Sequence, residues 1–307
     1  MTEESELGVL RGRSFAIAYR MLGSVADAED IVQEALLRVH RAQESGEQIE
    51  TPLAFIATIT TRLSITQLTS ARARRERYVG EWLPEPIIID DARDDPAQTV
   101  ELADSLSLAL LVLLERLSPE QRAVLLLHDV FDYDYAEIAE MLGTSRVNAR
   151  QLGTRARQHV RANRPRYTPT LQQRKELTQR FLVAARSGDL GSLQALLAAD
   201  VTFTGDGGGR VPALAAPLRG RVSVGQTLIA WFQSGPPSMP GVEVRLAAVN
   251  AGSGAVFLDA QQRLLGVWAF DLADGRIARI DSVVNPDKLA HLGPLGDFAG
   301  LIGPAKS

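Results

Sequence analysis

Apolar residues recur at helical spacing through the first half of this 307-residue chain. Ser24 is suited to cap a helix that runs to about Gln43, and the apolar positions of this helix share one face. These positions are Ala28, Ile31, Val32, Ala35, Leu36 and Val39. A second helix is expected from Thr51-Pro52 onward, because proline is favoured at the first helical position, where its missing N–H is not needed. The two patterns predict a helical domain over residues 1–78.

Residues 102–168 carry a second helical pattern with clear start signals. A leucine-rich helix comes first, from Leu102 to Leu117. Ser118 with Pro119 and Gln121 is then a capping-box sequence, and Asp134 with Glu137 repeats it. The turn Gly143-Thr144-Ser145 leads into a last helix. The apolar side of that helix is formed by Ala149, Leu152, Ala156 and Val160.

The opposite side of this last helix is polar and basic. From Arg146 to Arg166 the chain contains seven arginines and no acidic residue. A helix-turn-helix needs a small apolar face against its partner helix and a basic polar face for the DNA major groove. The residues placed to contact DNA are Arg146, Val147, Arg150, Gln151, Thr154, Arg155 and Arg157. An ordinary helical hairpin with a solvated charged face is the alternative that this stretch leaves open.

The pattern changes after residue 169. Two amphipathic helices, separated at Ser187-Gly188-Asp189, precede runs with strand character. The runs are VTFT, GAVFLDA, LLGVWAFDL and IARIDSVV, and DLADGR between the last two predicts a hairpin turn. Helices followed by a curved antiparallel sheet predict an α+β cone over residues 169–290. The Gly- and Pro-rich residues 291–307 are expected to form a flexible tail.

Composition narrows the classes of function. With 45% hydrophobic and 23% charged residues, the chain has the composition of an ordinary globular protein. It has no cysteine, which excludes disulfides, and its four histidines are too widely spaced to indicate a metal site. The acidic N-terminus is unlike a signal peptide, and no apolar run is long enough to span a membrane. We therefore expect a cytoplasmic protein without membrane association.

Charge is segregated along the chain, although the net charge is only −4. Asp27, Asp30 and Glu34 form an acidic stripe, which is either a solvated face or a contact surface. The helix after residue 51 becomes basic toward its end, where it is suited to bind phosphate groups. Residues 79–101 form an acidic, proline-rich linker that favours an extended chain. Trp82 indicates that this linker is anchored rather than free.

Three short motifs accompany this order of segments: WLPEP at 82–86, DGGGR at 206–210 and NPDKL at 285–289. With the acidic segment DAEDIVQE, the basic helix and the helix-turn-helix, they make the chain resemble bacterial extracytoplasmic-function (ECF) sigma factors. The resemblance covers residues 8–290 and is specific to the group with a C-terminal SnoaL-like extension. It implies two all-α sigma domains, a region 2 helical bundle and a region 4 helix-turn-helix. A SnoaL-like cone of the nuclear transport factor fold would follow them.

The resemblance implies that the protein binds promoter DNA and the β and β′ subunits of core RNA polymerase. The implied polymerase contacts are Asp27, Asp30, Gln33 and Glu34. The implied contacts to the minus-ten promoter element are Arg62, Gln67, Arg72, Arg74 and Arg75. The helix-turn-helix residues named above would read the minus-thirty-five element. Gln67-Leu68-Thr69 stands where the family often has Asp before leucine and arginine, so the chain departs from the family pattern there.

The same resemblance implies that the three motifs meet and tie the extension to the sigma domains. The residues concerned are Trp82, Leu83, Pro84, Glu85, Pro86, Asp206, Gly207, Gly208, Gly209, Arg210, Asn285, Pro286, Asp287, Lys288 and Leu289. It further implies control in cis, without a dedicated soluble anti-sigma factor, without a cofactor and without catalysis. A small-molecule ligand of the cone stays open as a further partner.

The residues leave two other classes of function open. The first is a SnoaL-type enzyme, or a ligand sensor, fused to a DNA-binding helix-turn-helix. Asp206, Asp259 and Asp271 are the acids available to it, although a general acid also needs a raised pKa and a partner. The second is a stand-alone helix-turn-helix regulator that binds operator DNA without polymerase.

Overall fold

A computed structural model describes residues 3–75, 78–89, 107–163, 171–234 and 241–302. The chain divides into two compact units. The first unit joins residues 1–77 to residues 111–164, and the second joins residues 78–110 to residues 165–307. Among the described residues, no helix is both long enough and apolar enough to cross a membrane.

The first unit begins with an N-terminal helix group. Its helices are α1 (Glu3–Leu22), α2 (Val25–Glu44) and α3 (Pro52–Arg75). Ser24 caps α2, since its side-chain oxygen accepts a hydrogen bond from the Asp27 amide. The predicted apolar face of α2 is buried, apart from Leu36, which is only partly covered. This face packs against α1 and α3, where it meets residues such as Leu10 and Ile56.

The same unit contains a helix-turn-helix group. Its helices are α4 (Leu108–Leu114), which belongs to this unit from residue 111 onward, α5 (Pro119–Asp129), α6 (Tyr135–Leu142) and α7 (Arg146–Asn163). Both predicted capping boxes are present, Ser118 with Gln121 at the start of α5 and Asp134 with Glu137 at the start of α6. Each box satisfies backbone N–H groups that a helix start would otherwise leave without a partner.

The turn between α6 and α7 also follows the predicted pattern. Gly143 ends α6 with φ 63°, a left-handed conformation that glycine adopts without strain. Ser145 then accepts a hydrogen bond from the Asn148 amide and starts α7. Ala149 and Ala156 are fully buried, so α7 packs its small apolar face inward, as its sequence predicts.

Polar contacts join the two helix groups within this unit. Arg122, which is only 2% exposed, donates to the Met21 carbonyl oxygen at 2.5 Å and pairs with Glu115 at 2.9 Å. Burial lowers the pKa of Arg122 to about 9, because a buried cation loses its hydration. Arg13 donates to the Phe131 carbonyl oxygen, and its guanidinium carbon lies 4.5 Å from the centre of the Phe131 ring. The contact between the groups therefore depends strongly on arginine.

The second unit combines helices with a sheet. Its strands are β1 (Ile88–Ile89), β2 (Leu197–Asp206), β3 (Leu218–Arg219), β4 (Glu243–Val249), β5 (Gly252–Leu258), β6 (Leu264–Ala273) and β7 (Arg276–Val283). Its helices are α8 (Leu171–Ser187), α9 (Leu190–Leu196), α10 (Arg221–Ser234), α11 (Pro286–Leu289), a 3₁₀ turn (Ala290–Leu292) and α12 (Phe298–Ile302). In the described residues, the strand order is β1-β4-β5-β6-β7-β2-β3. The β2–β7 pair is parallel and the other neighbours are antiparallel.

The predicted strand runs correspond to β2, β5, β6 and β7. The predicted hairpin between β6 and β7 turns at Asp274 and Gly275, both with positive φ. The β4–β5 hairpin was not predicted. Its turn residues, Asn250 and Ala251, both have positive φ, but neither is the glycine that usually marks such turns. Strand β4 and helix α10 therefore became apparent only in the structure.

Aromatic side chains fill the space between the sheet and helices α8, α9 and α10. The Trp268 ring centre lies 4.7 Å from that of Phe257 and 5.5 Å from that of Trp231. Phe181 meets Phe270 edge to face at 5.3 Å. Such pairs contribute about 0.5–1.5 kcal/mol each beyond their buried area. The unit is the predicted α+β cone, with its interior occupied by its own side chains.

The chain after residue 290 is packed against the sheet as far as the structure describes it. The Leu264 amide donates to the Pro294 carbonyl oxygen at 2.8 Å, and the Gly296 amide donates to the Leu264 carbonyl oxygen at 2.9 Å. Phe298 belongs to the buried core of the cone. Residues 291–302 thus differ from the flexible tail predicted for 291–307. The apolar residues between the glycines and prolines provide anchors that the composition alone did not reveal.

Candidate nucleic-acid interface and motif junction

Helix α7 presents an open surface that combines basic, polar and apolar side chains. It is lined by Arg146, Val147, Arg150, Gln151, Thr154 and Arg155. Val147 is 68% exposed, and an apolar side chain at such a position is suited to touch a thymine methyl group. The Thr154 hydroxyl donates to the Arg150 carbonyl oxygen at 2.9 Å, so its oxygen stays available as an acceptor. Six of the seven predicted helix-turn-helix contacts thus share one surface.

Arg157, the seventh, is held differently. Its Nε donates to both carboxylate oxygens of Asp129, at 3.0 and 2.9 Å, and its Nη1 donates to the Tyr135 hydroxyl at 2.8 Å. Its side chain is 28% exposed, and the hydrogen bonds to Asp129 raise its pKa. Arg157 therefore lies apart from the open basic surface.

The predicted acidic stripe lies on α2. Asp30 and Gln33 are exposed, whereas Glu34 accepts a hydrogen bond from the Arg38 Nε at 2.7 Å. Asp27 is half-buried and accepts a hydrogen bond from the Gln67 side chain of α3 at 3.1 Å. Leu37 is exposed one turn beyond Gln33 and two turns beyond Asp30, so the stripe adjoins an apolar side chain. Single exposed apolar residues are common on protein surfaces, so the role of the stripe as a contact surface stays a prediction.

The basic helix α3 makes contacts inside the first unit. Arg62 donates from Nε to the Met141 carbonyl oxygen at 2.7 Å and from Nη2 to the Glu140 carbonyl oxygen at 3.2 Å. A cation is favourable at the end of α6, where backbone carbonyls lack helical partners. Arg62 is nevertheless exposed, and its contact with DNA stays a prediction. The side chains of Arg72, Arg74 and Arg75 lie outside the described residues.

In the second unit, the three sequence motifs meet at the carboxylate of Asp206, which is fully buried. The Lys288 ammonium lies 2.6 Å from Oδ2, and the Leu83 amide donates to the same oxygen at 2.8 Å. The Tyr78 hydroxyl donates to Oδ1 at 2.5 Å. We call the set Tyr78, Trp82, Leu83, Asp206 and Lys288 the motif junction. One carboxylate thus connects DGGGR, WLPEP and NPDKL.

The Lys288 ammonium makes further contacts within the motif junction. It also donates to the Leu83 carbonyl oxygen, and it lies 4.1 Å from the ring centre of Trp82 and 4.8 Å from that of Tyr78. Aromatic faces attract cations most strongly when water is excluded. Burial and the hydrogen bond to Asp206 raise the pKa of Tyr78, so its hydroxyl stays protonated as a donor.

The second glycine of DGGGR is required by close packing. A Cβ at Gly208, whose φ is 60°, would stand 2.2 Å from the Asn285 side-chain nitrogen. That nitrogen donates to the Tyr78 hydroxyl at 2.8 Å, and the Asn285 oxygen caps α11 through the Asp287 amide. Arg210 pairs with Asp287 at 3.2 Å, but both side chains are about two-thirds exposed.

The linker after the motif junction joins the sheet. Pro84 and Pro86 are buried, and the His291 ring contacts the Pro86 carbonyl oxygen at 2.9 Å. Ile87 exchanges hydrogen bonds with Asn250, and β1 then pairs with β4. The anchored linker predicted from Trp82 is present up to residue 89, and residues 90–101 lie outside the described residues. The sequence analysis did not identify Tyr78, because this residue lies at the end of the predicted domain 1–78. The signal that could have identified it is an aromatic residue just before WLPEP.

Two family models match the helical segments. The model of Sigma-70 region 2 matches residues 10–74, and that of Sigma-70, region 4 matches residues 107–160. The ECF RNA polymerase sigma factor SigJ of Mycobacterium tuberculosis (strain ATCC 25618 / H37Rv) is 38% identical over 298 residues, which cover 93% of each chain. This chain belongs to the ECF sigma factor family.

Two further comparisons extend the likeness of this sigma factor to its C-terminal cone. The probable ECF RNA polymerase sigma factor SigI of M. tuberculosis (strain CDC 1551 / Oshkosh) is 32% identical over 278 residues, covering 90% of this chain and 91% of that one. The crystal structure of M. tuberculosis SigJ matches with a TM-score of 0.78 at 37% identity. The match covers 96% of this sigma factor and 100% of that chain.

Of the three acids named for catalysis, Asp206 and Asp259 are held by hydrogen bonds from protein groups in this sigma factor. Asp206 belongs to the motif junction. Burial opposes ionisation of Asp259, but hydrogen bonds from the Arg263 backbone and side chain lower its pKa. Burial and the nearby Asp281 carboxylate raise the pKa of Asp271. Sigma factors act by binding core polymerase and promoter DNA. In the described part of the chain, no three acidic or imidazole side chains are grouped to hold a metal ion.

Proposed function

We propose that this ECF sigma factor brings core RNA polymerase to specific promoters and that its SnoaL-like domain controls this activity in cis. Polymerase binds the acidic face of α2, and the promoter elements are read by α3 and α7. The observation that carries the proposal is the open surface of α7, where base-reading and phosphate-binding side chains stand together. The protein acts in the cytoplasm, where polymerase and DNA meet, and it acts by binding rather than by catalysis.

The side chains of α7 divide into two kinds of contact. Exposed arginines such as Arg146 and Arg155 neutralise phosphates and position the helix without reading sequence. Val147, Gln151 and Thr154 reach base edges, where a well-formed contact contributes about 1–3 kcal/mol of discrimination. A stand-alone regulator would need only this helix, whereas the family match and the acidic face of α2 favour a polymerase subunit.

The motif junction supports control in cis because it is an all-or-none contact. Asp206 and Lys288 are both buried, and removing one partner of such a pair leaves an uncompensated charge, which costs about 3–5 kcal/mol. The linker segment Tyr78–Leu83 is therefore either fully bound to the cone or released from it. A two-state linker between the two DNA-reading regions is a suitable regulatory element. Control in cis is compatible with an additional anti-sigma factor.

The proposal is tested by reconstituted transcription with core polymerase, comparing the full chain with chains that end at residue 168 or residue 284. We expect promoter-specific initiation from the full chain, and an output that changes when the NPDKL segment is absent. If no version directs promoter-specific initiation, the sigma function is refuted. If the chain that ends at residue 284 gives the same output as the full chain, control through NPDKL is refuted.

Point variants within DGGGR sharpen the second test. Asp206→Asn removes the buried ion pair, whereas Arg210→Gln removes an exposed pair that contributes about 0–1 kcal/mol. We expect Asp206→Asn to change transcription output and to lower the midpoint of chemical unfolding, while Arg210→Gln does neither. Equal effects of the two variants would argue against a specific role of the motif junction.

A further inference from the structure

Arg157 differs from the neighbouring arginines of α7 in what it touches. Nε donates to both oxygens of Asp129, Nη2 donates to Oδ1 as well, and Nη1 donates to the Tyr135 hydroxyl. Asp129 is the last residue of α5, and Tyr135 is the first residue of α6. One guanidinium group therefore joins three helices of the helix-turn-helix group.

Tyr135 is contacted by successive turns of α7. A Cβ at Gly153 would stand 2.8 Å from the Tyr135 hydroxyl, so the α7 backbone lies directly against it. The guanidinium carbons of Arg150 and Arg157 lie 5.7 and 6.0 Å from the centre of the Tyr135 ring. Steps of three and four residues keep these positions on one face of α7. The ring itself packs against His128 of α5, with centres 4.3 Å apart, so it is held from both sides.

Arg157 is paired with Asp129 within the helix-turn-helix group, and the two side chains are 28% and 33% exposed. Leaving Asp129 for a DNA phosphate would exchange one charge-assisted pair for another, so it gains little. The bidentate contact with Asp129 also restricts the orientation of the Arg157 side chain, which a single hydrogen bond does not do. Arg155, in contrast, is exposed on the surface that faces DNA.

We propose that Arg157 is a positioning residue for recognition of the minus-thirty-five element. Through Asp129 and Tyr135 it sets the rotation of α7 about its axis, and thereby the direction in which Arg150 and Gln151 enter the major groove. The inference rests on the proposed function, since it takes α7 as the DNA-reading helix. Hydrogen bonds to base edges depend on alignment, whereas phosphate attraction depends mainly on charge. Loss of Arg157 therefore reduces discrimination between promoters without removing a phosphate contact.

The test uses the full chain bound to core polymerase. Equilibrium binding is measured over a range of salt concentrations, to a promoter duplex and to a duplex with an altered minus-thirty-five element. The variants are Arg157→Gln, Asp129→Asn and Tyr135→Phe, with Arg155→Gln as the matched control. Circular dichroism checks folding, and Tyr135→Phe is the mildest change, since it keeps the ring and removes only the hydroxyl.

Arg155→Gln is expected to weaken binding to both duplexes equally and to reduce the slope of log K against log salt by about 0.9, the loss of one phosphate contact. Arg157→Gln and Asp129→Asn are expected to keep the wild-type slope and to lower discrimination about tenfold, within the range of one base contact. Tyr135→Phe is expected to act in the same direction, with a smaller effect. If Arg157 instead bound a phosphate, Asp129→Asn would release its guanidinium group, and binding to both duplexes would become tighter.

Arg157→Lys distinguishes the effect of charge from that of geometry, because lysine keeps the positive charge but cannot form the bidentate contact with Asp129. A positioning role predicts lost discrimination, and a phosphate contact predicts wild-type binding. The inference is overturned if Arg157→Gln reduces the salt slope as Arg155→Gln does while discrimination stays unchanged. If the wild-type complex itself does not distinguish the two duplexes, the proposed DNA-reading function of α7 fails, which is a separate result.

Discussion

Side chains of the same type have different roles in this sigma factor because their partners differ. Arg155 and Arg157 are two residues apart on α7, yet one is exposed and the other is bound to Asp129. Within DGGGR, Asp206 is fully buried, whereas Arg210 is mostly exposed. The sequence predicts the type of charge at each position, but burial and pairing decide how that charge acts.

Gln151 is expected to read one base of the minus-thirty-five element. Gln151→Ala should reduce binding to the preferred promoter by about 5- to 150-fold, because one base contact is worth about 1–3 kcal/mol. Promoters altered at that single position should bind the variant and the wild type equally. Binding of the polymerase complex to a set of promoters with single substitutions measures this. A uniform loss on every promoter would rule out base reading by Gln151.

Asp271→Asn is expected to stabilise the cone at neutral pH. Burial and the Asp281 carboxylate raise the folded-state pKa of Asp271, so the folded chain binds this proton more tightly than the unfolded chain. The stability contributed by Asp271 is therefore full below its ordinary pKa of about 4 and is lost as pH rises through the raised folded-state value. Asparagine does not ionise, so its advantage should be largest near neutral pH and should vanish below about pH 4. Thermal unfolding across this range measures the difference, and a gain independent of pH would contradict the explanation.

At the scale of elements, local signals predicted helix starts better than strands. The capping boxes at Ser118 and Asp134 involve only residues three apart, so they are visible in the sequence. The Asp274-Gly275 hairpin was visible for the same reason. The Asn250-Ala251 turn forms because β4 and β5 pair along their whole length, which compensates for an alanine at positive φ. Strand β1 has only two residues, and it forms because β4 offers a free edge.

Ser118→Ala is expected to destabilise the helix-turn-helix group by about 1 kcal/mol, within a range of about 0.5–2. The serine oxygen accepts a hydrogen bond from the Gln121 amide at 3.2 Å, and alanine leaves that amide without its cap. Ser118→Asp is the matched control, because its carboxylate can accept the same hydrogen bond. Chemical unfolding should separate the two variants. Equal midpoints would show that the cap does not contribute.

At the scale of the whole molecule, the chain leaves the first unit after residue 77 and returns to it at residue 111. Within that unit, the two helix groups contact each other through Arg13, Arg62 and Arg122, which donate mainly to backbone oxygens. These contacts join residues that are far apart in the sequence, so they form only when the helices pack together.

Arg13→Ala is expected to loosen the contact between the two helix groups. The change removes a hydrogen bond to Phe131 and a cation–π contact, together worth about 1–3 kcal/mol. The chain has no cysteine, so dyes at Glu44→Cys and Arg161→Cys, both exposed, report the distance by energy transfer. We expect a broader or longer distance distribution than in the wild type.

Arg11→Ala is the matched control for this measurement. Arg11 lies on the same helix but pairs with Glu29 at the surface, with 61% of its side chain exposed. Its removal should leave the distance distribution unchanged. Identical distributions for Arg13→Ala and the wild type would show that Arg13 does not hold the groups together.

The sequence by itself determined the family, the order of the domains and the starts of the main helices. These features depend on contiguous residues, such as the caps at Ser24 and Ser118 and the three short motifs, so they can be read without knowing which distant residues meet. It also identified Asp206 and Lys288 as members of those motifs, but not as a buried ion pair.

Only the tertiary structure decided which distant groups become partners. Asp206 meets Tyr78 across 128 positions and Lys288 across 82, and Arg62 meets Met141 across 79. Burial and pairing at such separations depend on how complete helices and strands pack, and no local pattern encodes them. The buried charge at the motif junction and the anchored Arg157 are therefore properties of the fold, although each residue type was visible in the chain.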